Sequence, residues 1–277
     1  MSKEQAYYSK GYKKEIADTH AWRTVANSSA FVIPILKPDF KILDVGSGPG
    51  TITIDFANYV PEGSVIGVEP TAELIERANE EKAKKEEETG VKLENVTFQD
   101  GSIYSLPFED NTFDVVHAHQ VVIHLQDPVA ALKELRRVVK VGGYVCVKDA
   151  DLDSIIAYPD EYSLIIRDYL VKKASNAVST DIKAGRSLRE KAIKAGFEPE
   201  HTLSSSSTWC TTKRSEKIIH GERTLKRLQN SGEEIVKNDP EANQREIEKL
   251  VDLWHRFVED DAAWGNILHG EIIYTKQ

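Results

Sequence analysis

The sequence predicts an α/β fold, a seven-stranded, mostly parallel sheet with helices on both faces. Three observations carry that prediction. Between residues 40 and 150 short apolar runs alternate with segments of helical period, the pattern of successive βαβ units joined by right-handed crossovers. The first apolar run feeds a glycine-rich turn, KILDVGSGPG over 41–50. Acids then stand at or near the ends of the first three runs, at Asp44, Glu69 and Asp100.

The elements follow in order. KILDV is a strand, and TITIDFANYV is a helix seated on the glycine turn and stopped by Pro61. SVIGVE is a second strand, and TAELIERANEEKAKKEEE a helix with Thr71 as its N-cap. NVTFQD and FDVVHAH read as strands three and four. DPVAALKELRRVVK is a helix by its apolar spacing, closed by Gly142 and Gly143, and YVCVKDA is strand five. Beyond 150 the pattern loosens. RSLREKAIKAGFEP reads as a helix closed at Gly196, HTLSSSSTWC as a polar strand, 213–231 and 241–262 as two helices, and HGEIIYTKQ as a short last strand. The first 37 residues look helical and end at Pro38. The expected organisation is one domain over 1–277: a helical lid over 1–38, a ligand-binding core over 39–150, and a remainder over 151–277 with lid helices at about 210–268.

Composition narrows the function. A chain of 277 residues with 40% hydrophobic and 29% charged content is ordinary globular material able to bury a real core. A net charge of −9 argues against a nucleic-acid groove, which needs clustered Lys and Arg. No apolar run reaches the length of a membrane span. The N-terminal stretch lacks the apolar core of a secretory signal, so a cytoplasmic location is expected. Two cysteines, Cys146 and Cys210, make neither a disulfide framework nor a metal cluster. Monomer and homodimer both stay open.

The glycine turn carries the chemistry. Glycines let backbone approach a ligand, and the helix that follows favours negative charge. The spacing Gly46, Gly48, Gly50 is not the dinucleotide fingerprint G-x-G-x-x-G, and Asp44 would repel a pyrophosphate. Glu69, about twenty residues past the turn, stands where an acid takes ribose hydroxyls. A ligand that tolerates Asp44, Glu69 and Asp100 on one rim is cationic or rich in N–H and O–H donors. S-adenosylmethionine fits, with its sulfonium, ammonium, ribose diol and adenine amine. Asp44 has a second reading, as an acid that orients the glycine loop by accepting its N–H groups.

KILDVGSGPG, GVE at 67–69, QDGSIYSLPFEDNTFDVV at 99–116 and LKELRRVVKVGGYVCV at 132–147 resemble, in that order, the motifs of class I S-adenosylmethionine-dependent methyltransferases of the UbiE-like small-molecule group, with their Rossmann-like sheet. The resemblance implies that Gly46, Ser47, Gly48, Gly50 and Thr51 wrap the methionine portion of the donor. It places Glu69 and Pro70 at the ribose, Asp100 at the adenine amine with Gly101 and Ser102 beside it, and the backbone of Ala118 and His119 over the cofactor. Val141 departs from the pattern, where Pro often precedes the paired glycines.

Methyl transfer from a sulfonium is an in-line displacement, in which the protein aligns the reacting atoms and excludes water. A base is needed only where the nucleophile must lose a proton. HAHQVVIHLQD offers three histidines. His117 is expected to point into the helix layer, and His119 to serve the cofactor or its loop. His124 is the expected base, by a resemblance that sometimes pairs such a His with an N-terminal Tyr, here Tyr12. Tyr8, His20, Trp22 and Arg23 belong to the same lid-like segment, and Arg23 suits the donor's carboxylate. Trp254, Phe257 and Trp264 lie at helical spacing in DLWHRFVEDDAAWG. They form either core or the wall of a pocket for an apolar or aromatic acceptor. A nicotinamide-dependent oxidoreductase and a non-catalytic S-adenosylmethionine binder are the competing readings. A methyltransferase acting on nucleic acid or glutamine is disfavoured by the acidic charge and the missing N/D-P-P-Y/F tetrapeptide.

Overall fold

The computed structural model describes residues 22–175, 180–230, 235–236 and 238–277. They build a seven-stranded sheet in the order β3-β2-β1-β4-β5-β7-β6. The strands are β1 Lys41–Val45, β2 Ser64–Glu69, β3 Val96–Asp100, β4 Phe113–His119, β5 Val139–Tyr158, β6 Thr202–Thr211 and β7 Trp264–Thr275. Strands β1 to β5 run parallel, and β7 is antiparallel to both β5 and β6. The order reverses between β1 and β4, and in open α/β sheets the crevice at such a switch point takes the ligand.

The central strands are apolar throughout because both faces are covered. β1 buries Ile42, Leu43, Asp44 and Val45, and β4 buries all its residues but Asp114. One face packs Leu43, Val116 and Val145 against Leu132, Leu135 and Leu188; the other packs Ile42, Val65 and Val115 against Val25, Ile54 and Phe56. The covering helices are α1 Val25–Ser28, α2 Thr51–Phe56, α3 Ala72–Thr89, α4 Pro128–Val138, α5 Tyr169–Ser175, α6 Ala184–Lys194, α7 Arg214–Asn230 and α8 Pro240–Glu259. Local chemistry sets several starts. Asp127 caps Ala130 N–H at 2.9 Å ahead of Pro128, and Asp239 caps Ala242 N–H at 2.9 Å ahead of Pro240. Thr71 occupies the N-cap of α3, yet its hydroxyl makes no capping bond.

Several boundaries differ from expectation. The helix on the glycine turn ends at Phe56. Among the described residues before β1, helix is confined to the single turn α1 and a 3-10 stretch at Ala30–Ile35; residues 1–21 of the expected helical segment lie outside the described residues. Strands β5 and β7 run well past their expected ends: after a bulge between Asp151 and Ile156 they pair again, Ile156 with Asn266 and Tyr158 with Trp264. The acids in DADLDS hide this extension from an apolar-run reading. Trp264 therefore sits on a strand, apart from the helical stripe expected to hold it. Helix α8 and the extended ribbon enclose a third apolar cluster, with Ile155, Ala157, Ile165, Leu253, Trp254 and Phe257. No helix among the described residues is long and apolar enough to cross a membrane.

Helix α6 approaches the sheet so closely that a Cβ built on Gly270 would lie 2.0 Å from the Gly185 carbonyl oxygen. Rigid backbone on both sides leaves no way to yield. Gly270→Ala is expected to lower stability by about 2–3 kcal/mol, measured as a lower midpoint in thermal unfolding followed by circular dichroism.

Candidate functional site

The parallel register brings the ends of β1, β2 and β4 to one rim, with Asp44 level with Gly67 on one side and His117 on the other. The glycine turn leaves β1 there. Gly46 and Ser47 donate their N–H groups to the Val68 carbonyl at 2.7 and 3.1 Å, which folds the turn over β2. Gly48 has φ +54 and open space where a Cβ would stand, so its bare backbone borders the cleft. The cleft is concave, with about 1060 Å³ of empty space that includes open solvent.

Of the residues singled out from sequence, Arg23, Asp44, Gly46, Ser47, Gly48, Thr51, Glu69, Pro70, Gly101, His119 and His124 line this cleft. Four do not. Gly50 is packed against Phe98 and Ala78. Ala118 is fully buried in the core between two histidines of β4. Ser102 turns its hydroxyl onto the Tyr104 amide at 3.2 Å. Asp100 is exposed beside Glu69, its register partner, on the outer rim. Tyr8, Tyr12 and His20 lie outside the described residues. Sequence reasoning missed Gln120, Val121 and Ile103 in the wall. A non-glycine residue at φ +56, Gln120 marks the abrupt exit from β4, but no side-chain type announces that bend.

The two inner acids exchange one expected role. Glu69, not Asp44, holds the glycine loop: its Oε2 accepts the Gly48 N–H at 3.1 Å. The Asp44 carboxylate is fixed from behind, accepting from His117 Nδ1 at 2.8 Å and from Thr53 Oγ1 at 2.5 Å. The remaining lone pair on each oxygen is left for the cleft. His117 does face the helix layer, its ring edge-on to Phe56 at 5.1 Å, but it is bonded at both nitrogens.

Arg23 also lines the cleft. Its guanidinium donates to Gln120 Oε1 at 2.6 Å and lies 5.3 Å from the centre of the Trp209 ring. Gln120 Nε2 in turn meets His269 Nε2 at 2.9 Å. Burial, then the Arg23 charge, pushes His124 down to about 4. Burial also pushes His269 down to about 3, reinforced by Lys148 and Arg23, and His119 well below its ordinary value. These imidazoles are neutral at physiological pH. Lys148 itself is buried against Glu271 at 3.2 Å. Among the described residues no group of His, Cys, Asp or Glu is placed to hold a metal ion.

A second cavity, of about 510 Å³ and partly open, lies beyond Trp209. Ile165, Ile166 and Leu170 wall one side, Trp254 and Phe257 of α8 another, and Asn266 and Gly265 of the β7 extension a third. Trp209 belongs to this wall while its ring contacts His119, a residue of the first cleft, at 5.7 Å.

The donor set of the first cleft fits S-adenosylmethionine on its own terms. Buried carboxylates of Asp44 and Glu69 suit an ammonium and hydroxyl donors, and an arginine in the same lining suits a carboxylate. Comparison with known proteins gives the class. The profile of the methyltransferase domain family matches residues 36–269, and the chain belongs to that family. It is 45% identical, over the whole of both chains, to an uncharacterized methyltransferase of Schizosaccharomyces pombe. Over 62% of its length, and 69% of the other, it is 31% identical to the ubiquinone/menaquinone biosynthesis C-methyltransferase UbiE of Bdellovibrio bacteriovorus. The phosphoethanolamine N-methyltransferase 2 of Haemonchus contortus, solved with S-adenosylhomocysteine, shares the fold with a TM-score of 0.59 at 16% identity, across all of this chain and 61% of that one. The protein is a class I S-adenosylmethionine-dependent methyltransferase, and the oxidoreductase alternative falls.

One buried acid behind the site titrates. Asp149, fully buried at the rim of β5, is pushed up to about 7 by desolvation, although the amides of Ile123 and Val122 pull the other way. These amides belong to the turn that presents His124. A carboxyl that holds its proton more tightly when folded stabilises the fold fully below its unfolded pKa, near 4, and loses that contribution as pH rises through about 7. Asp149→Asn is therefore expected to flatten the pH dependence of stability, gaining roughly 2–4 kcal/mol on wild type at pH 8, measured by denaturant unfolding at pH 5 and pH 8.

Proposed function

We propose that the enzyme transfers the methyl group of S-adenosylmethionine to O, N or C of a small apolar or aromatic molecule held in the second cavity. The observation that carries this is the largely apolar, aromatic lining of that cavity, whose Trp209 ring contacts His119 of the donor cleft. When bound, S-adenosylmethionine supplies an electrophilic methyl on a sulfonium. The glycine turn and Thr51 border the donor's methionine arm, Asp44 its ammonium and Arg23 its carboxylate. Glu69 takes the ribose while it keeps Gly48 in place, and Gly101 and Pro70 flank the nucleoside, with Asp100 on the rim at the adenine amine. Trp254, Phe257 and Ile166 exclude water from the acceptor and orient it.

His124 is the base in this reading. With its conjugate acid near 4 it is unprotonated throughout the neutral range but weakly basic. That suits an acceptor whose nucleophile is already acidic, such as a phenol or an activated C–H, better than an alcohol. The two free cysteines, one buried and one exposed, accord with a reducing compartment, and the proposal sets the reaction in the cytoplasm.

The test is release of S-adenosylhomocysteine with a panel of small aromatic and aliphatic phenols, amines and carbon acids. Transfer to an apolar member of the panel is expected, with kcat lowered about 100-fold by His124→Asn. Phe257→Ala is expected to raise the acceptor KM about 10-fold. Donor binding without turnover on any member would favour the non-catalytic binder.

A further inference from the structure

We propose that His117 is a positioning residue: it sets the Asp44 carboxylate for the donor's ammonium and, through Ser29, ties that setting to the N-terminal segment. The inference rests on the donor site described above and adds a part of the chain that does not touch it.

Ser29, His117 and Asp44 form a line of hydrogen bonds inside the protein, with Ser29 Oγ to His117 Nε2 at 2.8 Å and His117 Nδ1 to Asp44 Oδ1 at 2.8 Å. Ser29 and His117 are fully buried, and Asp44 is 3% exposed. A carboxylate only accepts, so Nδ1 carries the proton it shares with Asp44, and Nε2 pairs with the Ser29 hydroxyl. An imidazole buried for packing alone would cost free energy that an apolar side chain avoids. Here both nitrogens are bonded, and what they achieve is directional. With Thr53 on Oδ2, the ring fixes the plane of a carboxylate whose other face is the cleft wall.

The far end of the line matters equally. Ser29 directly follows α1, whose first amide, Val25 N–H, donates to Asp55 at 2.7 Å. Two residues before α1 comes Arg23, in the lining of the same cleft. Residues 23–29 thus place the cation assigned to the donor's carboxylate and, through Ser29 and His117, hold the anion assigned to its ammonium. In this reading docking of the one stretch on the core serves the amino-acid arm of the donor, while the nucleoside is assigned to Glu69, Pro70 and Gly101.

That separation gives the experiment. S-adenosylhomocysteine and 5′-methylthioadenosine share the thioadenosine; only the first carries the ammonium and carboxylate. Calorimetric dissociation constants for both would be measured on wild type, His117→Phe, His117→Asn and Ser29→Ala, with thermal midpoints alongside. His117→Phe is expected to weaken S-adenosylhomocysteine about 10-fold or more and 5′-methylthioadenosine less than about twofold. His117→Asn, which can still donate to Asp44, should recover part of the loss. Ser29→Ala should fall between and keeps the proposal testable if His117→Phe fails to fold. Equal losses for the two ligands, or none in a folded variant, would overturn it. Failure of wild type to bind either ligand would overturn the donor-site reading instead.

Discussion

The cleft depends on one constraint, the parallel pairing of β1 with β2 on one side and β4 on the other. That register stacks Asp44, Gly67 and His117 in a row and sets Glu69 two residues further along β2. A slip of one residue would turn every side chain of β1 to the opposite face, sending Asp44 to the wrong side and Leu43 toward the turn. The apolar faces on both sides of β1 prevent it, because Ile42 and Leu43 are each committed to a different helix layer. The hydrophobic core and the placement of the acids are thus the same fact seen from two sides.

Carboxylates are costly to bury, and at Asp44 and Glu69 directional hydrogen-bond donors offset the cost. Asp44 takes a hydroxyl and an imidazole, and Glu69 takes a backbone amide of the loop it supports. Burial keeps the His119, His124 and His269 imidazoles neutral, and the Arg23 charge adds to the effect at each. A site lined by two carboxylates and a guanidinium matches a zwitterionic ligand, and a phosphate ester would meet repulsion from the carboxylates.

Much of this was legible in the sequence because it follows from periodicity and turn chemistry. The strands from KILDV to FDVVHAH, the glycine turn and the acids at the strand ends are written locally. What was not legible depends on distant pairing. That His117 bonds Asp44, 73 positions away, and Ser29, 88 away, follows only from β1 and β4 being neighbours. The exchange of roles between Asp44 and Glu69 turns on which carboxylate reaches the Gly48 amide, a matter of side-chain direction at the turn. The extension of β5 and β7 was hidden because its pairing crosses a bulge among acidic residues. The contact of Trp209 with His119 was invisible because it joins residues 90 positions apart that only the sheet order brings together.

The central claim is that the glycine cleft takes S-adenosylmethionine through its buried acids. The most direct test is calorimetric titration of the protein with S-adenosylmethionine and with NAD, on wild type and Glu69→Ala. The account predicts one-to-one binding of S-adenosylmethionine, weakened at least about 10-fold by Glu69→Ala, and no heat with NAD. Tight NAD binding with no response to S-adenosylmethionine would contradict it.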